Sequence, residues 1–93
     1  MNEKDVEKRF VKEVDRVGGI ALKFVSPSFS GVPDRLILMP GGKASFAELK
    51  APGKKPRPLQ VKRHKMLRAL GFKVYVIDRV EMIGGIIDEL KQE

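Results

Sequence analysis

Two acidic residues and a lysine stand at a spacing that suits the hydrolysis of a phosphodiester bond. Asp34 closes the segment Gly-Val-Pro-Asp (31–34), and fourteen residues later Glu48 and Lys50 flank a single leucine. Two carboxylates can hold a divalent cation, which polarises a phosphate and lowers the pKa of a bound water. An adjacent amine can position that water, or deprotonate it if its own pKa is depressed. These three residues are the first candidates for catalysis.

The sequence between these residues predicts a β-hairpin. Residues 34–39 and 43–50 are mostly apolar, and they flank Pro-Gly-Gly at 40–42. Glycine can adopt the positive φ angles that tight connections require, so this tripeptide indicates a turn. Both alternating faces of the two strands carry apolar residues, which predicts central strands covered by helices on both sides.

The length of the turn decides whether the acids meet. A three-residue connection places Asp34 opposite Glu48 on the same face, with side chains about 5 Å apart. A two-residue connection would pair Asp34 with Leu49 and turn it to the other face. Glu48 and Lys50 share a face in either case, because side chains alternate along a strand. Two carboxylates this close repel each other, so the first register also predicts a cation such as Mg²⁺ or Mn²⁺ between them.

Composition limits the kind of protein. The 93 residues allow one compact domain, 1–93, and contain no cysteine and one histidine, so a metal must be bound by oxygen. Nineteen Lys and Arg residues against twelve Asp and Glu give a formal charge of +7. Such a field attracts polyanions, and nucleic acid is the leading candidate partner. No apolar run reaches membrane-spanning length and the N-terminus is charged, so we expect no membrane partner and a cytoplasmic location in a bacterial or phage-infected cell.

The remaining elements must position the hairpin. Helical spacing of apolar residues predicts three helices, and short apolar runs bounded by Gly and Pro predict two more strands. The order is helix 3–17, strand 20–25, the hairpin strands, helix 59–70, strand 72–77 and helix 80–90. This α-β-β-β-α-β-α order predicts an α/β fold with a mixed central sheet flanked by helices. The proline-rich segments 26–33 and 51–58 are predicted loops.

Three segments together resemble a known family. Gly31-Val-Pro-Asp34, Phe46-Ala-Glu48-Leu-Lys50-Ala-Pro-Gly53 and Pro58-Leu-Gln60 resemble the virus-type replication-repair nuclease (VRR-Nuc) domain, a branch of the PD-(D/E)XK nuclease superfamily. The resemblance covers nearly the whole chain and implies a restriction-endonuclease-like fold and a Mg²⁺- or Mn²⁺-dependent endonuclease acting on DNA. Small stand-alone members of this family look like homodimers that cut branched DNA. The resemblance therefore also implies a homodimer that acts on Holliday junctions or flaps. A catalytically silent DNA-binding module and an RNA-directed nuclease are the alternatives.

The resemblance also implies roles for individual residues. Asp34 and Glu48 would be metal ligands together with the backbone carbonyl of Leu49, and Lys50 would be the catalytic lysine. Gln60 would orient the metal-bound water or the substrate phosphate.

The family further carries an acid on its first helix. Glu7, twelve residues before Gly19, is the first choice for a catalytic and metal-proximal residue, and Glu3 is the alternative.

Basic residues near the candidate site are predicted to bind the phosphate backbone. They are Lys54, Lys55 and Arg57 in the loop after the hairpin, Lys62 and Arg63 on the next helix, and Lys23 on the first strand. Each could equally be an ordinary solvated charge. His64 lies one helical turn beyond Gln60 and could contact DNA, but an exposed helix histidine is the preferred prediction.

Overall fold

The computed structural model describes residues 1–92 and contains the predicted elements in the predicted order. The helices are α1 (Glu3–Arg16), α2 (Pro58–Ala69) and α3 (Ile83–Lys91), and one 3₁₀ turn, Val80–Met82, precedes α3. The strands are β1 (Ile20–Lys23), β2 (Arg35–Met39), β3 (Lys43–Leu49) and β4 (Val74–Ile77). No helix of the described chain is both long and apolar enough to cross a membrane.

The four strands form one mixed sheet in the order β1-β2-β3-β4. The first three strands are antiparallel, and β4 runs parallel to β3 because α2 carries the chain back across the sheet. Met39 pairs with Lys43 and Arg35 pairs with Ala47. The turn therefore has three residues, and the predicted register of the hairpin is confirmed.

One face of the sheet carries the main hydrophobic core. Helix α1 begins at the capping residue Asn2, whose side chain accepts a hydrogen bond from Asp5 N at 2.9 Å. Its inward stripe, Val6, Phe10 and Val14, is fully buried, and α3 adds a second apolar stripe to the same core. These helices cover the side chains of alternate strand residues, among them Ala21, Ile37, Met39, Ala47, Leu49 and Ile77.

Helix α2 packs on the opposite face, over β3 and β4. The ring of Phe46 lies 5.5 Å from Phe24 and 5.6 Å from Phe72, forming a small aromatic cluster beneath this layer. On this side β3 is covered as predicted, since Phe46 and Glu48 are both buried.

The prediction that helices cover both sides of the two hairpin strands is wrong for β2, on the face of the sheet where α2 packs. Leu38 is 38% exposed, and its partner on β1, Ile20, is 55% exposed. Helix α2 connects β3 to β4 and packs over these two strands, so it leaves the β1–β2 side of this face without helix cover.

Candidate active site

Asp34 and Glu48 meet where β2 begins and β3 ends. The ladder places Arg35 opposite Ala47, so the preceding Asp34 falls opposite Glu48 on the α2 face. Asp34 Oδ2 accepts a hydrogen bond from the backbone N–H of Leu49 at 2.9 Å. This bond fixes the first carboxylate against the strand that carries the second.

Glu48 is held from two further directions. Lys50, two residues on and therefore on the same face, places Nζ 3.7 Å from Glu48 Oε2. Gln60 donates from Nε2 to the same oxygen at 2.9 Å, and its Oε1 accepts the Arg57 N–H at 2.8 Å. Gln60 thus closes the first turn of α2 and contacts the site through Glu48.

The surroundings of Glu48 disfavour its charge. Its side chain is 1% exposed, and burial, followed by the negative charge of Asp34, raises the pKa of Glu48 from 4.5 to about 8. The positive charge of Lys50 acts in the opposite direction but does not compensate. Glu48 Oε1 is buried without any hydrogen-bond partner. A carboxylate in this position needs an additional positive charge to remain ionised.

This donor set fits a divalent cation. An ion next to the unpartnered Oε1 of Glu48 would offset both its burial and the repulsion from Asp34. Residues 1–92 contain no cluster of three or more His, Cys, Asp or Glu side chains that could hold a metal ion. The remaining ligands would therefore be backbone carbonyls, waters or a substrate phosphate, which is how Mg²⁺ is commonly bound.

The structure separates the two candidate acids of the first helix. Glu7 is engaged by Arg35, whose Nε donates to Glu7 Oε2 at 3.0 Å on the α1 face of the sheet. The structure therefore does not bring Glu7, the first choice from the sequence, to the acid pair. Glu3 lies one helical turn nearer the end of α1, and its negative charge contributes to the raised pKa of Glu48. Of the two acids, Glu3 is thus the one whose charge affects Glu48.

The predicted phosphate-binding residues fall into two groups. Lys54, Lys55 and Arg57 are exposed in the loop after Lys50, and Lys62 is exposed on α2.

Arg63 and Lys23 have other neighbours. Arg63 donates to the carbonyl of Ser30 at 2.7 Å and lies 3.8 Å over the ring of Phe29, so it ties the 26–33 loop to α2. Lys23 pairs with Arg35 in the ladder and lines a groove beside α1, on the face opposite Glu48.

His64 is the site residue that the sequence analysis missed. Its predicted exposure is wrong, because the side chain is only 2% exposed, with Nε2 3.5 Å from Glu48 Oε1. The spacing of four residues from Gln60 was the available signal, since both side chains must leave α2 on one face.

Comparison with known proteins agrees with this geometry. No protein-family model matches the chain. The chain is 51% identical over 82 residues to "Putative nuclease p44" of Acyrthosiphon pisum secondary endosymbiont phage 1, covering 88% of each protein. It is 30% identical to a solved structure described as "VRR_NUC domain", with a TM-score of 0.86 over 92% of this chain and 94% of the other. Similarity of this extent, in sequence and in fold, places the chain in the VRR-Nuc family of nucleases.

Proposed function

We propose that this protein is a metal-dependent endonuclease that hydrolyses phosphodiester bonds in DNA, with residues 1–93 forming a single nuclease domain. The observation that carries the proposal is the meeting of Asp34, Glu48 and Lys50 on one face at the ends of β2 and β3. A buried carboxylate with an elevated pKa beside a second acid and an amine is typical of a catalytic site.

Asp34, Glu48 and the backbone carbonyl of Leu49 would hold Mg²⁺ or Mn²⁺. The bound ion would supply charge neutralisation at the phosphate and acidify a coordinated water. The buried, unpartnered Oε1 of Glu48 supports this assignment. Glu3 would add a negative charge at the same end of the sheet.

Lys50 and Gln60 would act on the reacting groups and on Glu48, respectively. The Lys50 side chain is 17% exposed, so its ammonium is accessible to a phosphate or to an attacking water while it stays 3.7 Å from Glu48. Gln60 anchors one oxygen of the Glu48 carboxylate, Oε2, through its 2.9 Å hydrogen bond. Both side chains are in place before substrate binds, which reduces the reorganisation that catalysis requires.

The exposed basic loop would bind the DNA backbone. Lys54, Lys55 and Arg57 follow Lys50 within seven residues, and two prolines in the same segment, Pro52 and Pro56, restrict its conformations. Lys62 extends this positive surface onto α2. Contacts of this kind position a phosphate backbone without reading its sequence.

The preferred substrate would be branched DNA, such as a Holliday junction or a flap, cut by a homodimer. A second copy is supported by the apolar side chains of β1 and β2 that no helix covers, notably Ile20, Leu22 and Leu38. The similar nuclease is a phage protein, which supports action in the cytoplasm of a bacterial or phage-infected cell.

The proposal is tested with labelled four-way junctions, flaps, duplexes and single strands, with matched RNA constructs, in Mg²⁺, Mn²⁺ or EDTA. We expect ion-dependent cleavage of branched DNA by the wild type. Lys50→Ala and Asp34→Ala should lose cleavage by a factor of roughly 10² or more while still binding the same DNA. If the wild type leaves every substrate intact, the protein is instead a silent DNA-binding module. Preferential cleavage of the RNA constructs would instead identify an RNA-directed nuclease.

A further inference from the structure

His64 and Glu48 are two buried polar side chains, and each directs one atom without a hydrogen-bond partner toward the other. His64 Nε2 and Glu48 Oε1 lie 3.5 Å apart, and neither atom has a hydrogen-bond partner. Leaving a buried donor or acceptor unpaired is destabilising, because the atom gives up its hydrogen bonds to water and gains none in return. An approach of a few tenths of an ångström would bring the pair within hydrogen-bonding distance and satisfy both atoms.

The position of His64 on α2 would allow this contact to orient the Glu48 carboxylate. Gln60 and His64 are one helical turn apart, and they contact different oxygens of the same carboxylate, Oε2 and Oε1 respectively. Gln60 alone would leave the carboxylate free to rotate about its hydrogen bond. A second donor on the other oxygen would fix its plane.

The state of the His64 ring suits a donor. An imidazole carries an N–H on one nitrogen when neutral and on both when protonated, so Nε2 can be a donor in either state. An oxygen of an ionised carboxylate has two lone pairs and can accept this N–H while also binding a cation.

We propose that His64 is a positioning residue, which donates a hydrogen bond from Nε2–H to Glu48 Oε1 and thereby holds this carboxylate in place for the divalent cation. The inference rests on the proposed metal-dependent function, because it concerns the same acid pair. His64 acts through Glu48 and does not touch the substrate. Hydrogen-bond partners of this kind commonly change metal affinity by about 10–100-fold.

The first test is spectroscopic, because His64 is the only histidine of the chain. Nitrogen-15 NMR of untagged protein with saturating Mg²⁺ should give one imidazole whose Nε2 bears the proton. An unprotonated Nε2 in the Mg²⁺-bound protein would overturn the proposal, since the ring would then be an acceptor or a direct metal ligand.

The second test measures Mn²⁺ binding by calorimetry without DNA. His64→Leu fills the space without a donor and should weaken Mn²⁺ affinity about tenfold, whereas His64→Gln keeps an N–H donor and should recover most of it. Ile86→Val, on the buried face of α3, is the control for a general loss of stability and should bind Mn²⁺ like the wild type. Unchanged affinity in a folded His64→Leu protein would refute the inference, and if that variant fails to fold, the NMR result decides.

These tests separate the inference from the proposed function. The wild type could bind Mn²⁺ in calorimetry and show a protonated Nε2 by NMR in Mg²⁺, yet cut no nucleic acid. This result would refute the proposed function and leave the role of His64 intact. A wild type that cuts DNA, with Nε2 unprotonated, would refute the role of His64 alone.

Discussion

Glu48 is the residue on which the site converges. Lys50 and Gln60 contact Oε2, His64 faces Oε1, and Asp34 lies opposite on the neighbouring strand. Because Glu48 is almost fully buried, each of these neighbours acts on it with little screening by water. The ionisation of this one carboxylate therefore links the stability of the fold to the binding of a cation.

The raised pKa of Glu48 predicts a pH-dependent stability in the metal-free protein. Between pH 6.5 and about 8, the folded state keeps a proton on Glu48 that the unfolded chain has lost, so the free energy of unfolding should fall as pH rises. The expected loss over this interval is about 1–2 kcal/mol, measured by urea denaturation in EDTA. His64 acts in the opposite sense at the lower end of this interval, because burial lowers its pKa on folding, and the same contribution is present in any variant that keeps His64.

Glu48→Gln is the matched control for this prediction, since its amide has nearly the same shape and does not titrate. Its free energy of unfolding should stay nearly constant over the same interval. Saturating Mg²⁺ should stabilise the wild type increasingly as pH rises, because the ion binds the ionised carboxylate. Identical slopes for wild type and Glu48→Gln in EDTA would show that Glu48 is not the group responsible.

Residue types and spacing predicted the pair of acids but not every neighbour. The arrangement of Asp34, Glu48 and Lys50 could be predicted, because strand alternation and the length of one turn determine which face each side chain occupies. The placement of Glu7 could not be predicted, because it depends on a contact with Arg35, which lies 28 residues away in the sequence. The burial of His64 likewise depends on the packing of α2 and not on its own sequence neighbours.

At the scale of elements, the site depends on the contact between α2 and the 26–33 loop. Arg63 holds this loop through Ser30 and Phe29, and Gly31 packs directly against α2. The same loop leads into Asp34, whereas α2 carries Gln60 and His64. The loop and the helix thus bring together the two sides of the site.

Gly31→Ala should disturb this contact. Gly31 has a φ of 86°, and an added Cβ would lie 2.8 Å from Leu59 Cγ and 3.2 Å from the Leu59 carbonyl oxygen. Gly41, in the hairpin turn, has a φ of 88° but no atom near its Cβ position, so Gly41→Ala carries the backbone strain without the steric clash. We expect Gly31→Ala to lower the free energy of unfolding by about 1–3 kcal/mol more than Gly41→Ala, and to reduce nuclease activity further. Equal losses in the two variants would show that the loop does not depend on close packing against α2.

Element order was predictable, whereas some element ends were not. The predicted strand 20–25 ends at Lys23, although Phe24 N still donates to the carbonyl of Asp34 at 2.8 Å. The predicted helix 80–90 begins as a 3₁₀ turn and becomes α-helical only at Ile83, where burial against α1 and the sheet outweighs the low helix propensity of two glycines. Tertiary packing determines where such elements end, and it cannot be predicted from local sequence patterns.

At the scale of the whole molecule, the two faces of the sheet differ: one stabilises the fold, and the other carries the candidate active site. The face under α1 and α3 is a continuous apolar core, whereas the face under α2 holds Asp34, the buried Glu48 and the aromatic cluster. The second face is incomplete, because β1 and β2 expose apolar side chains beside the site. A second copy covering this region would place two nuclease sites in one particle, as paired cuts in branched DNA require.

Leu22→Lys tests this arrangement. Leu22 is 43% exposed on β1 and pairs with Leu36, so a lysine there should fold normally but prevent another apolar surface from packing against it. Val25→Lys changes a more exposed residue beyond the end of β1 and serves as the matched control. In sedimentation equilibrium at micromolar concentration, wild type and Val25→Lys should show twice the 10.4 kDa chain mass, and Leu22→Lys should show the single mass. A wild type of single mass would exclude the homodimer, whereas a dimeric Leu22→Lys protein would place the interface on another surface.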